Sequence, residues 1–124
     1  MDFLVTPPGE TSWRMEPAEF ATALRARWPD AQVHENPEAD PTYAFEFSVA
    51  VNDGSVDGAF GRDGQMLGLQ HDVFACAEVA AWFRQQVPPE QPLLFYDPAL
   101  NGRAELTPGL GAGELACAYL ASHS

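Results

Sequence analysis

The segment Tyr43–Val51 constrains the fold more than any other stretch of the chain. Its odd-numbered positions are all large and apolar, and its even-numbered positions are small or polar. Side chains of a β-strand point alternately to the two faces of a sheet, so this pattern predicts a strand with one buried and one polar face. The register should be firm, because a slip of one residue would expose the whole aromatic face.

Turn signals place this strand in an antiparallel meander. Asn52-Asp53-Gly54 predicts a turn into a strand at 55–61, and Asp63-Gly64 predicts a second turn into a strand at 65–70. Shorter strands are predicted at 2–6, 31–35, 93–96 and 103–107, with an acidic loop at 36–42. The strand at 93–96 is a continuous apolar run suited to the middle of a sheet.

Three segments are predicted to be helices. The first begins at Pro17, a favoured first helical position, and its Phe20, Leu24 and Trp28 form one apolar stripe. Asp72 is a good N-cap for a second helix that ends near residue 86. A third helix spans about residues 111–121.

Together these elements predict a single α+β domain covering residues 1–124. The order is β-α-β-β-β-β-α-β-β-α, which indicates an antiparallel sheet, a meander plus a hairpin, with two to three helices packed on one face. A chain of 124 residues has the length of one ordinary domain.

The charge limits the partners that the chain can bind. It carries 18 acidic and 6 basic residues, a formal net charge of −12, and every basic residue is arginine. Nucleic acids and anionic membranes are bound by clustered basic residues, so we expect neither as a partner. A basic protein would be attracted. The absence of lysine excludes Schiff-base chemistry and a P-loop.

Composition also suggests where the protein acts. No apolar run approaches the ~20 residues that cross a bilayer, and the N-terminus has no basic leader with an apolar region behind it. We therefore expect a cytoplasmic protein. The joint absence of lysine and isoleucine, whose codons are AT-rich, indicates a GC-rich bacterial genome. Cys76 and Cys117 lie in alanine-rich helical contexts and are predicted to be small buried hydrophobes; a disulfide between them is left open.

No residue pattern predicts catalysis, a metal or a cofactor. None of His34, His71 and His123 has a histidine, cysteine or carboxylate at metal-ligand spacing. There is no G-x-S-x-G motif, and the dense glycines straddle hairpin turns and do not link a strand to a helix, as a nucleotide fingerprint requires. Eighteen acids guarantee that some pair lies close, but a solvated sheet face is the better interpretation of the strand carboxylates Glu46, Asp57 and Glu105.

Five residues are candidates for binding. His71 and Asp72 stand at a strand-to-helix junction, where an imidazole could act as a base or a ligand or could simply be exposed beside an N-cap. Trp13, Trp82 and Tyr119 do not all fit the apolar stripes, so they are either exposed interface aromatics or, as we favour, the edge of the core. The binding candidates are Trp82, Trp13, His71, Asp72 and Glu46.

These features favour a small acidic, non-catalytic protein-binding module, for example an immunity protein that neutralises a basic toxin. The order of elements, the size and the acidity are also similar to those of the dimeric acidic chaperones of type III secretion. The alternative is a small-molecule-binding protein or enzyme with a pocket between the helices and the sheet near His71, and nucleic-acid mimicry is a third hypothesis. Homodimerisation through a strand edge or the helix flank that bears Trp82 is compatible with each.

Overall fold

The fold follows the predicted order of elements. A computed structural model of the chain describes residues 1–35, 42–52 and 54–122. Asp53 of the first predicted turn, His123 and nearly all of the predicted loop 36–42 lie outside these ranges. The strands are β1 (Phe3–Thr6), β2 (Gln32–Glu35), β3 (Tyr43–Val51), β4 (Gly54–Gly61), β5 (Leu67–Gln70), β6 (Leu94–Tyr96) and β7 (Arg103–Glu105). The helices are α1 (Pro17–Arg27), α2 (Val73–Gln86) and α3 (Ala112–Ser122).

All seven of these strands belong to one antiparallel sheet. Their order is β2-β3-β4-β5-β1-β6-β7. The predicted meander β3-β4-β5 and the predicted hairpin β6-β7 are both present, and β1 joins them because it pairs with β5 on one side and β6 on the other. The α+β class and the element order are therefore confirmed.

The side chains of β3 alternate between a buried and an exposed face of the sheet, as the sequence pattern predicts. Phe45, Phe47 and Val49 are buried, whereas Glu46 and Ala50 are exposed. The buried face lies against the helices, and the other face of the strand is left to solvent. The alternation therefore gives this part of the sheet one buried face and one exposed face.

A glycine in the neighbouring strand makes room for one of these aromatic rings. Gly58 of β4 lies opposite Phe47, and a Cβ at Gly58 would overlap the ring of Phe47. It would also lie 2.8 Å from the carbonyl oxygen of Gly68 in β5. The glycine at this position therefore permits close packing of the ring against the sheet.

Helix α1 places one phenylalanine at the centre of the core. Phe20 is fully buried and stacks on Phe60 of β4, with ring centroids 4.3 Å apart. Four further rings lie within 6 Å of it, two from β3 and two from α2: Phe45, Phe47, Trp82 and Phe83. Phe20 therefore connects α1 to the sheet and to α2.

Helix α2 starts at the predicted cap and is buried around most of its circumference. The Asp72 carboxylate accepts hydrogen bonds from the backbone N–H groups of Phe74, at 2.9 Å, and Ala75, at 3.2 Å. Because α3 packs along α2, and Trp28 at the end of α1 contacts Trp82, α2 buries more than the single face expected from its sequence pattern.

Hydrogen bonds to Asp97 connect the turn between β6 and β7 to α3. Its side chain accepts hydrogen bonds from the backbone N–H groups of Gly102 and Asn101 and from the Tyr119 hydroxyl, at 2.8, 3.1 and 3.1 Å. Burial acts to raise the pKa of Asp97, but these hydrogen bonds outweigh it and the pKa is lowered. Burial and Asp97 together raise the pKa of Tyr119 to about 12. Tyr119 is thus a core residue.

The two cysteines differ in environment. Cys76 is buried as predicted, and burial, with smaller contributions from Asp2 and Asp72, raises the pKa of its thiol to about 12. The prediction that Cys117 is buried is wrong: it lies on the outer side of α3, and its thiol is free. Among the residues that the structure covers, no helix is long and apolar enough to span a membrane.

Phe20→Ala should destabilise the fold strongly. We expect a loss of about 3–5 kcal/mol in the free energy of unfolding, because the change leaves a cavity among five aromatic rings. Phe74→Ala removes the same ring from a site that is 40% exposed, and should cost about 1 kcal/mol or less. Urea denaturation of the two variants measures the difference, and equal losses would contradict the assignment of Phe20 to the core.

Candidate functional site

The face of the sheet turned away from the helices carries the candidate site. It is formed by the even-numbered residues of β3 and their cross-strand partners. Ser48 of β3 lies opposite Asp57 of β4, and Asp57 lies opposite Gln70 of β5. On the other side of β3, His34 of β2 lies opposite Glu46. We call this region, spanning β2 to β5, the uncovered face.

A depression of 290 Å³ lies on the uncovered face. Its polar lining consists of His34, Glu46, Ser48, Asp57 and Gln70, and Met1 closes one side. The side chain of Met1 lies over Gly68, where a Cβ would be 2.7 Å from the Met1 Cγ. The depression therefore has two carboxylates at its wall and one apolar edge.

Asp57 is held in place by two side chains. The Ser48 hydroxyl donates to Asp57 Oδ1 at 2.5 Å, and His71 Nε2 lies 2.8 Å from Asp57 Oδ2. The hydrogen bond from Ser48, followed by that from His71, lowers the pKa of Asp57, and burial opposes them weakly. Asp57 is therefore an oriented carboxylate that stays ionised at neutral pH.

His71 has an unusual backbone conformation. Its φ of 102° lies in a region that residues other than glycine rarely adopt. Its backbone N–H donates to Asp2 Oδ2 at 2.9 Å while its ring contacts Asp57, so contacts from the residue before β1 and from β4 hold the strained residue. These contacts hold the imidazole at the edge of the uncovered face, immediately before the Asp72 cap of α2.

Ser48 and His71 do not form a nucleophile–base pair. In a nucleophile–base pair the serine hydroxyl donates to the imidazole, whereas the Ser48 hydroxyl donates to the carboxylate. Within residues 1–35, 42–52 and 54–122, no group of three or more histidine, cysteine, aspartate or glutamate side chains could hold a metal ion. An ionised, oriented carboxylate beside a second carboxylate can bind a cationic group.

The structure brings some predicted binding residues together and separates others. Glu46 and His71 both belong to the uncovered face, the latter through its contact with Asp57, whereas Asp72 follows His71 in sequence and caps α2. Trp82 lies on the helical side, where it is 8% exposed and forms part of a 640 Å³ groove. Trp13 is half-buried and packs against a core phenylalanine.

The sequence hypothesis placed a pocket between the helices and the sheet near His71. The depression near His71 lies on the opposite face of the sheet. The depression opens on the uncovered face, whereas the side of the sheet beneath the helices is occupied by the aromatic core around Phe20.

Asp57 was considered among the strand carboxylates, but its pairing with Ser48 was not predicted. The signal was the hairpin turn, because Val51 opposite Gly54 sets the register, and counting back from it places Ser48 opposite Asp57. The contact of His71 with Asp57 had no comparable signal, since it depends on a bend after β5.

Comparison of the chain with protein-family models, with curated proteins and with solved structures found no match.

Ser48→Ala should raise the pKa of Asp57. The hydrogen bond from Ser48 is the largest cause that lowers this pKa, so its removal returns the carboxyl group toward its ordinary value. Because the folded-state pKa of Asp57 is depressed, the stability that the group contributes is present above its unfolded pKa and is lost as the pH falls through the folded value. A carbon-detected NMR titration of the carboxyl group measures the shift.

The matched control for this titration is Ser55→Ala. Ser55 lies in the same hairpin but opposite Ala50, and it is not one of the two side chains that hold Asp57. An unchanged pKa of Asp57 in Ser48→Ala, or an equal change in Ser55→Ala, would contradict the hydrogen-bond assignment.

Proposed function

We propose that the protein is a non-catalytic binding module that holds a basic protein partner on the uncovered face of its sheet. The observation that carries the proposal is the pair of exposed carboxylates, Glu46 and Asp57, at one depression of a sheet face on which no helix of the described chain lies. The net charge of −12 adds long-range attraction for a positively charged partner.

The depression fits the end of one basic side chain. An arginine of the partner would place its guanidinium between Glu46 and Asp57, because planar donors pair well with carboxylates. Met1 offers an apolar edge for the aliphatic part of that side chain. The contact from His71 and the hydrogen bond from Ser48 hold Asp57 in one orientation before the partner arrives, which reduces the entropy lost on binding.

Such a module corresponds to an immunity protein that neutralises a basic toxin, or to a chaperone for a basic client. In this proposal the protein acts in a bacterial cytoplasm. A homodimer would form through the edge of β2, whose residues Gln32, His34 and Glu35 are exposed.

The test of the proposal removes the charges of the two carboxylates and keeps the shape of the two side chains. Glu46→Gln/Asp57→Asn should weaken partner binding by roughly threefold to thirtyfold, the effect of losing two exposed charge pairs. The partner is first captured from a lysate of the source organism at low salt and identified. Its affinity for each variant is then measured by calorimetry with purified proteins at two salt concentrations.

The control is Glu10→Gln/Glu19→Gln, which changes the net charge equally at two exposed positions outside the uncovered face. It should bind the partner nearly as the natural chain does. Capture of no basic protein, or equal affinities of the two double variants, would refute the proposal.

A second candidate function is the binding of a small cationic molecule at the same depression. The contact between His71 and Asp57 favours it, since a strained residue beside an oriented carboxylate is common at ligand sites. A small amine or guanidine would occupy the place proposed for the arginine of a protein partner.

Titration with arginine and with spermidine tests this second function. It predicts saturable changes in the amide signals of Gln70 and Gly58, which line the depression, and the loss of these changes in Asp57→Asn. Amide NMR spectra provide the measurement. Shifts that rise linearly with ligand, or that persist in Asp57→Asn, would exclude a small-molecule site here.

A further inference from the structure

Strand β2 forms one edge of the sheet. Among the strands of residues 1–35, 42–52 and 54–122, it pairs with β3 alone, and its Gln32, His34 and Glu35 are exposed. In an antiparallel sheet, every second residue of an edge strand points its backbone N–H and C=O groups away from the neighbouring strand. β2 therefore offers hydrogen-bond donors and acceptors to a further strand.

A groove lies beside this edge on the helical side of the sheet. It has a volume of 370 Å³, and residues of α1, β2 and β3 line it. Its apolar lining includes Ala18, Ala21 and Val33, and one basic and one acidic side chain, Arg25 and Glu35, also belong to it. Because alanine has a short side chain, α1 leaves space beside β2. The groove can therefore take small apolar side chains.

The depression on the uncovered face reaches the same edge from the opposite side of the sheet. His34 of β2 forms part of its lining and lies opposite Glu46 of β3. The edge of β2 thus has one concave surface on each side of the sheet. The side chains of an added strand would point alternately to these two surfaces, because successive residues of a strand face opposite ways.

We infer that the basic partner binds through an extended strand that pairs with the edge of β2, with small apolar side chains in the groove and arginines on the uncovered face. The inference rests on the proposed function and names the part of the partner that makes the contact. Neighbouring strands lie about 4.8 Å apart, so the added strand would lie about 10 Å from β3. An extended arginine side chain covers most of that distance, and the exposed Glu46 side chain covers the rest.

Charge favours this occupant over a second copy of the chain. A basic strand would be attracted by Glu46 and by the net charge of −12, whereas a second copy carries the same negative charge and would be repelled. A homodimer formed through β2 would use the same edge. The partner and a second copy would therefore exclude each other.

The experiment titrates the protein with an acetylated hexapeptide amide in which arginine and valine alternate, at pH 7 and constant ionic strength. Amide NMR spectra follow residues 32–35. We expect saturable shifts with a dissociation constant of roughly 0.1–1 mM, as befits a short peptide. A peptide of the same composition, with all arginines before all valines, should bind at least about fivefold more weakly, because its side chains cannot alternate between the two concave surfaces.

N-methylated peptides show whether the peptide backbone pairs with β2. In an added strand, the N–H groups that face β2 all come from alternate residues, which are either the arginines or the valines. Methylation of the set that faces β2 should abolish binding. Methylation of the other set should change the affinity by less than about threefold, because those N–H groups point to solvent.

Variants of the protein test the two concave surfaces. Ala18→Leu places a larger side chain at the groove from an exposed position and should weaken peptide binding by roughly threefold to tenfold. The matched control is Ala26→Leu, at an exposed position of α1 outside the groove, which should leave the affinity unchanged. Glu46→Gln should weaken binding by roughly twofold to fivefold. Asp57→Asn, one strand farther from β2, should have a smaller effect.

Four results would overturn the inference. They are no saturable shift in residues 32–35, equal affinities for the alternating and the block peptide, equal effects of the two methylations, and equal affinities of Ala18→Leu and Ala26→Leu. Signals of β2 that shift with protein concentration but not with peptide would assign the edge to a second copy of the chain, and would also overturn it.

The strand inference and the proposed function can fail separately. A captured basic partner whose affinity falls in Glu46→Gln/Asp57→Asn but is equal in Ala18→Leu and Ala26→Leu would support the proposed function and refute the strand. Capture of no basic partner, together with specific binding of the alternating peptide, would refute the proposed function and leave β2 as an edge that accepts a basic strand.

Discussion

The segregation of apolar and polar side chains along β3 is the constraint on which the rest of the molecule depends. Because Phe45, Phe47 and Val49 face one way, α1 and α2 must cover that side to remove the rings from water. Phe20 completes this arrangement, since one ring of α1 contacts aromatic side chains from β3, β4 and α2. The core is thus an aromatic cluster built on one face of one sheet.

The same alternation creates the uncovered face. Every residue that points away from the core in β3 is small or polar, so Glu46 is exposed to solvent and Ser48 lies beside the exposed Asp57 of β4. The Asp57 carboxylate gains its orientation there from Ser48 and from the strained His71. The candidate site is therefore a consequence of the strand pattern, together with one bend after β5.

Local signals explain which features could be predicted. Strand alternation predicted β3, turn residues predicted the β3–β4 hairpin, and Asp72 predicted the start of α2, because each depends on neighbours in sequence. The position of β1 between β5 and β6 depends on pairing between distant segments. The burial of Trp82 and the exposure of Cys117 likewise depend on how α2 lies between α1 and α3, which no local pattern encodes.

The central claim is that β3 has one face covered by helices and the opposite face open to solvent. Paramagnetic relaxation by a soluble gadolinium chelate measures this directly at methyl groups. The account predicts strong relaxation of the Ala50 methyl group and protection of the methyl groups of Val49 and Val56. Equal relaxation of the three residues, or protection of Ala50 alone, would contradict it.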